Sequence, residues 1–266
     1  MRRLRAPGES FSALDKPCTT IYFFLDTVYW ILDIKMPSAN LAHKVTEISR
    51  PERLPRELAR DLETGIIYHE LEPGSRLIEE EIATRYDVSR SPVREAFREL
   101  EHHGLIIREV KGGVRVPSLS AADLDEIFGC RVALESLAAG EAAVSRSEDQ
   151  LDELRRTYRL MEQAHDSGDV RDYFRLNVAL TRAIHAATCN QTLIRLLSMI
   201  DKQAQRYRYI AYIRSPELMD LSLEGNRDIV EAIGAGKRQQ ACQITARLIR
   251  GSWRSIAAHL EAKDDP

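Results

Sequence analysis

The chain has 266 residues, with 38 Lys and Arg against 41 Asp and Glu and a formal net charge of −3. That length accommodates one large or two ordinary domains with real cores. The near balance of charge excludes a protein that coats nucleic acid indiscriminately, so any DNA binding must come from a local basic patch.

Two further features of composition bear on class. Cys18, Cys130, Cys189 and Cys242 are scattered without a CxxC pair. This argues for reduced thiols in a cytoplasmic protein, not a disulfide frame or a zinc knuckle. Few Gly and Pro among many Leu, Ala, Glu and Arg point to a mainly helical chain.

In chain order, residues 1–35 differ in character from the rest of the chain. Arg2, Arg3 and Arg5 precede an aromatic-rich apolar run at 19–34. A signal peptide or membrane anchor is one reading. The run is too short to span a bilayer, however, and Asp26 interrupts its centre. Residues 1–50 are expected to form an N-terminal extension outside the fold, as when translation starts upstream of Met36, and no membrane partner is expected.

From Arg53 the pattern becomes regular. Leu54, Leu58, Leu62, Ile66 and Ile67 make a helical stripe to about His69, and Pro73-Gly74 marks a turn. Residues 78–86 form a second short helix with Ile82 and Ala83 inward, and Asp87-Val88 is a tight turn. Val93, Ala96, Phe97 and Leu100 then recur on one face of a third helix, while Arg90, Arg94 and Arg98 share another. Ser89 or Ser91 can cap its start, Pro92 fits a first turn, and Gly104 ends it. Solvated charge is the plainer interpretation of that stripe, since Glu95, Glu99 and Glu101 offset it. The flanks decide for DNA. Two short helices form a helix-turn-helix, and residues 105–110 and 114–116 around Lys111-Gly112-Gly113 form a hairpin placed as a wing.

Pro117 to Ser120 is the linker, and Ser120 with Asp123 reads as a capping box. Six helices come next, near 121–146, 148–167, 169–188, 191–212, 217–234 and 237–260. The domains are thus 51–117, a winged helix-turn-helix, and 118–266, an all-helical domain; the fold class is mainly α. No glycine-rich phosphate loop appears. Arg131 falls on the apolar stripe of the first long helix and needs an anion: either Glu135, at i+4, or a ligand carboxylate. Asn177 and Thr181 lie in line with Tyr173 and Ile184, and Asn226 with Ile229 and Ile233. Together they suggest a polar-lined cavity in the bundle.

Leu71-Glu-Pro-Gly-Ser-Arg-Leu77, Val88-Ser-Arg-Ser-Pro-Val-Arg-Glu-Ala96, Leu100-Glu-His-His-Gly-Leu105 and Gly112-Gly-Val-Arg-Val116 resemble the winged helix of GntR transcription regulators. The resemblance implies that Arg90 and Arg94 read base edges, that Ser91 and the helix start at Ser89 hold phosphate, and that Lys111 and Gly112 lie in the wing tip. Two positions depart from it. Relatives often have Ser where Ile78 stands, and some have a base-contacting Arg where Glu80 stands; a glutamate there would repel phosphate or select a cytosine amino group. Arg131-Val-Ala-Leu-Glu135, Arg182-Ala-Ile-His-Ala-Ala-Thr-Cys-Asn190 and Asn226-Arg-Asp-Ile-Val-Glu-Ala-Ile233 are similar to the FCD effector domain of the FadR subfamily, with six helices as in its VanR-like branch.

Many such domains hold a divalent metal on an Asp and three His. By the resemblance those positions fall on Asn177, Thr181, Asn226 and near Leu248, with Arg247 and Ile249 beside it, a poor set for zinc. No cofactor and no metal are therefore expected, with His185 as a substitute ligand if a metal binds after all. The effector-binding set is Arg131, Asn177, Thr181, Arg182 and Asn226, with Arg206 or Arg208 nearby; Tyr207, Tyr209 and Tyr212 either shape the pocket or pack at an interface. The expected protein is a ligand-responsive regulator, most simply a repressor. It would bind palindromic double-stranded operator DNA as a homodimer and answer to a small organic acid. Alternatives are a metal-dependent regulator, an architectural DNA binder, or an enzyme using the cavity; the last lacks an evident carboxylate pair or nucleophile, so no catalytic residue is expected.

Overall fold

A computed structural model describes residues 53–109 and 112–261; the reading of residues 1–50 as an extension lies outside them, as does Lys111. The chain opens with α1 (Arg53–Ile67), which buries Leu58, Leu62 and Ile66 as its stripe requires. Then come β1 (Arg76–Leu77), α2 (Glu79–Arg85), α3 (Arg90–His102), β2 (Ile107–Arg108) and β3 (Val114–Arg115). Helix α2 starts one residue later than its periodicity suggests. Ile78 is its N-cap, lacks any side-chain capping bond and is 47% exposed.

Local chemistry fixes the angle between α2 and α3. Asp87 takes φ +52, and Val88 N–H reaches back to the Ala83 carbonyl. A short polar side chain tolerates that left-handed conformation. Gly104, at φ +67, ends α3 in the same way: its own N–H bonds Glu101 O, and Leu105 N–H bonds Leu100 O. This pair of hydrogen bonds is the Schellman termination, and it satisfies two of the last carbonyls of the helix. Val93, Ala96, Phe97 and Leu100 are fully buried against α1 and α2, so the arginine face of α3 is left outward.

The wing is larger than a hairpin. Residues 76–77, between the turn and α2, pair antiparallel with β3 (Leu77 opposite Val114), giving the order β1-β3-β2. A two-residue strand has too little alternation to be visible in sequence.

Six more helices complete the described residues: α4 (Ala121–Ser145), α5 (Glu148–Asp166), α6 (Val170–Ala186), α7 (Gln191–Arg214), α8 (Glu217–Gly234) and α9 (Arg238–Glu261). Ser120 Oγ accepts from Asp123 N–H, Ser147 and Gln150 form a full capping box, and Asn190 Oδ1 accepts from Leu193 N–H. These caps place the breaks where the sequence puts them. No described helix is long and apolar enough to cross a membrane.

The end of α1 is embedded in the bundle. Ile67 belongs to the bundle core. Tyr68 stacks edge-on against Tyr209 and Phe174, at centroid distances of 4.7 and 5.7 Å, with Arg171 over its ring at 4.3 Å. His69 Nε2 lies 2.9 Å from the Arg206 carbonyl, Lys202 Nζ lies 2.8 Å from Glu63, and the Arg206 guanidinium donates to the Pro117 carbonyl in the linker. All but Phe174 and Arg171 of these bundle partners sit on α7.

Candidate nucleic-acid interface and effector cavity

Arg90 and Arg94 both face solvent, with side chains 54% and 57% exposed. Of the two serines that could cap α3, Ser89 occupies the N-cap position, without a side-chain capping bond, and Ser91 is exposed beside it. Two hydroxyls and the first N–H groups of the helix thus meet at a positive helix end suited to phosphate. In the wing, Gly112 takes φ +78 and faces open space, a conformation that favours glycine.

The arginines are not isolated charges. Glu79 Oε2 accepts from Arg94 Nε at 2.8 Å, and Glu80 Oε1 lies 2.8 Å from Arg90 Nη2. Glu80 is 71% exposed and holds the end of Arg90 that would meet DNA. Glu80→Gln should therefore strengthen binding to every duplex. On random duplex, where Arg90 has no base edge to read, freeing it for one phosphate steepens the slope of log Kobs against log salt by roughly 0.9. Anisotropy titrations at several salt concentrations check this, and an unchanged slope would show that Glu80 does not restrain Arg90.

Within the bundle, a cavity of about 60 Å³ is lined by residues of α4 and α6–α9. It gathers Arg131, Asn177, Thr181 and Asn226 as the sequence suggests, and Leu248 joins them. Arg182 does not line it. That side chain is 42% exposed and sits 3.7 Å from Asp201. Arg208 takes its place: buried, it lines the cavity, donates to Asn177 Oδ1 and lies 3.5 Å from Asp201 Oδ1. Ser222 is the hub of the polar wall, accepting from Asn177 Nδ2 at 3.0 Å and from the Tyr212 hydroxyl at 2.9 Å. Sequence reasoning missed Ser222 and Thr245, although Ser222 stands one turn before Asn226 and so shares its face.

Arg131 resolves its two candidate partners toward the internal one: Nε donates to Glu135 Oε1 at 2.7 Å, with both side chains buried. The three tyrosines of α7 divide their tasks. Tyr212 lines the cavity, Tyr209 packs on Tyr68, and the Tyr207 hydroxyl bonds the backbone of Ser120. Arg206 points to the linker instead of the cavity.

Three guanidiniums (Arg131, Arg182 and Arg208) thus meet two carboxylates, Glu135 and Asp201. Burial alone would raise the Asp201 pKa, but Arg182 and Arg208 outweigh it and hold the carboxyl below its ordinary range. The cluster carries one surplus positive charge. In the wall, the Thr245 hydroxyl has no hydrogen-bond partner among the described residues, and Arg208 Nη1 has only its ion-pair contact with Asp201 Oδ1 at 3.5 Å. Buried groups left this way cost free energy until something pairs with them.

Burial pushes the His185 imidazole below the ordinary value of 6.5, against the pull of Glu135 and Asp201. His69 and His103 shift the same way, again mainly through burial. Each takes a proton more readily once unfolded, so stability is full above about pH 6.5 and falls as pH drops below it. The limit is about 1.4 kcal/mol per pH unit for the buried His185, and His69 and His103, partly exposed and screened by solvent, contribute less. Thermal melts from pH 7.5 to 5 should show the fall, and His185→Gln should flatten it; a pH-independent wild-type midpoint contradicts the assignment.

Residues 54–116 match the model of bacterial regulatory proteins of the gntR family, and residues 126–251 match the FCD domain. Over 168 residues the chain is 32% identical to the "Probable D-xylose utilization operon transcriptional repressor" of Paenarthrobacter nicotinovorans, covering 63% of this chain and 73% of that relative. Over 192 residues it is 28% identical to the transcriptional repressor RspR of Escherichia coli K12, covering 71% and 82%. Escherichia coli McbR/YncC shares the fold, with a TM-score of 0.68 at 23% identity over 79% of this chain and 98% of that one. The chain belongs to the GntR family of transcription regulators, carrying an FCD domain behind its DNA-binding helix-turn-helix.

Proposed function

We propose that this regulator binds a palindromic operator as a homodimer, and that a small organic acid entering the bundle cavity, without a metal, changes its affinity for that operator. The observation that carries the effector half is the pair of guanidiniums in the cavity wall, Arg131 and Arg208, against the one lining carboxylate of Glu135, together with a Thr245 hydroxyl that has no hydrogen-bond partner among the described residues. A cavity of about 60 Å³, well above the roughly 10–15 Å³ that one water needs, admits a small monocarboxylate. Its charged end would meet Arg208, and its alkyl end would meet Ile184, Ile229 and Ile249.

A divalent metal does not fit this wall. The four positions where the family's ligands would fall carry amides at 177 and 226, a hydroxyl at 181 and an alkyl group at 248. A fixed guanidinium already donates to Asn177, and no group of three or more His, Cys, Asp or Glu suited to a metal occurs among the described residues. His185 alone is a weak substitute. Both carboxylates near the cavity are engaged by guanidiniums, which argues against acid–base turnover and for a binding role.

Helix α7 supplies the coupling. It presents Arg208 to the cavity, and Lys202, Arg206 and Tyr209 to the end of α1 and the linker. An anion drawing on Arg208 shifts the population of α7 placements and so the setting of the winged helix, a coupling free energy between two sites. A two-fold dimer would set two α3 helices on two half-sites. Relatives named repressors support repression as the mode of regulation, which the acid would relieve, and a DNA-bound regulator is expected in the cytoplasm.

The test begins with selection of a site from a random duplex library by the full chain, followed by footprinting. Acetate, propionate, lactate and pyruvate are then titrated into the complex and into the free protein, and the purified protein is analysed for metals. A two-fold symmetric footprint, release by one of these acids and no stoichiometric metal are expected. Uniform coverage without a preferred site, or one metal per chain, overturns the reading.

A further inference from the structure

The two glutamates that meet the arginines of α3 do so at opposite ends of the guanidinium. Glu80 takes Nη2 of Arg90, the tip. Glu79 takes Nε of Arg94, the stem side, and leaves both Nη groups outside that hydrogen bond. A guanine presents O6 and N7 as two acceptors side by side, which such a fork meets end-on. Glu79 is also the more fixed partner, with a side chain 27% exposed against 71% for Glu80. It stands at the first position of α2, where the helix dipole favours a carboxylate.

We propose that Glu79 is a positioning residue for base recognition: by accepting from Nε it locks Arg94 in the orientation that offers its terminal fork to a guanine. This rests on the reading of Arg94 as a base-contacting residue. The benefit is conformational. A long side chain already held in its bound rotamer loses less freedom on binding, whereas the carboxylate's charge by itself opposes a phosphate-rich partner. Glu79 therefore acts with opposite sign on the two kinds of DNA. It strengthens the guanine-bearing site and weakens random duplex.

The experiment uses the full chain, the site it selects from a random library, the same site with individual guanine pairs exchanged, and a random duplex. Arg94→Ala identifies the pair that Arg94 senses. Glu79→Ala should then lose about 3- to 10-fold of the discrimination at that pair, the range expected for freeing one rotamer-rich side chain. Its affinity for random duplex should stay level or rise. Glu79→Gln, which keeps an acceptor for Nε, should fall between the two. In an Arg94→Ala background Glu79→Ala should change discrimination no further, and thermal melts verify that each variant is folded. Wild-type discrimination in folded Glu79→Ala, with Arg94→Ala still sensing a guanine, overturns the role of Glu79 alone; so does equal weakening on all DNA. If Arg94→Ala weakens every duplex alike, the base-reading role of Arg94 falls and this assignment falls with it.

Discussion

Arg90→Ala and Arg94→Ala should each weaken binding to the selected operator by about 1–3 kcal/mol, roughly 5- to 150-fold, and weaken binding to random duplex far less. The asymmetry arises from the nature of each contact. A guanidinium that only neutralises phosphate contributes equally on any sequence, and its loss also lowers the salt slope. One that pairs with a base edge contributes only where that edge is present. The two arginines should also differ from each other. Arg94 is held by its stem, and Arg90 by its tip through an exposed glutamate that must release it first. Arg94→Ala is therefore expected to be the more damaging. Parallel anisotropy titrations on both duplexes measure the difference, and equal losses on the two would reduce the arginine stripe to an electrostatic surface.

Whatever depended on helical periodicity and end signals was legible from the residues. The apolar faces of α1 and α3, the left-handed turn at Asp87, the glycine stop at 104 and the six bundle helices all result from local chemistry acting within a few residues. The third strand of the wing was not legible. Arg76 and Leu77 pair with residues almost forty positions away, and two residues cannot show an alternation. Ile78 was drawn into α2 by its apolar side chain, yet it stands exposed at the cap, a place that hydrophobicity does not predict.

The cavity divides along a similar line. Arg131, Asn177, Thr181 and Asn226 betray themselves as polar groups on apolar stripes. Arg208 does not, because α7 is buried on several sides and carries arginines and tyrosines in succession, so no single face stands out. Arg182 stands next to Thr181, but neighbours in a helix point about 100° apart, and here one turns toward the cavity while the other lies half-exposed beside Asp201. The pairing of Glu79 with Arg94 was equally hidden. It spans the turn between two helices, where fifteen residues of separation say nothing about which end of a guanidinium is held.

The second large effect concerns effector binding, and the choice of variants matters as much as the expected loss. Deleting the Arg208 side chain would strip the buried Asp201 of one of its two guanidiniums, leaving only Arg182 beside it, and so would lower stability together with effector binding. Arg208→Lys keeps the charge but offers a point donor in place of a planar fork. It should weaken the responding monocarboxylate by about 1.5–3 kcal/mol, the usual worth of a hydrogen bond to a charged group. Thr245→Val is the more telling change. The Thr245 hydroxyl has no partner among the described residues, so replacing it with a methyl of similar shape removes an unmet polar group and should leave the melting temperature level or raise it. The same change removes a donor to the anion and should weaken the acid by about 1.5–3 kcal/mol as well. Stability and effector affinity thus move apart, which a variant that merely loosens the bundle cannot achieve. Melting curves over a range of acid concentrations read both quantities, since the ligand-induced shift grows as RT ln(1 + [L]/Kd). A Thr245→Val protein that responds to the acid as wild type does would place the anion elsewhere in the bundle.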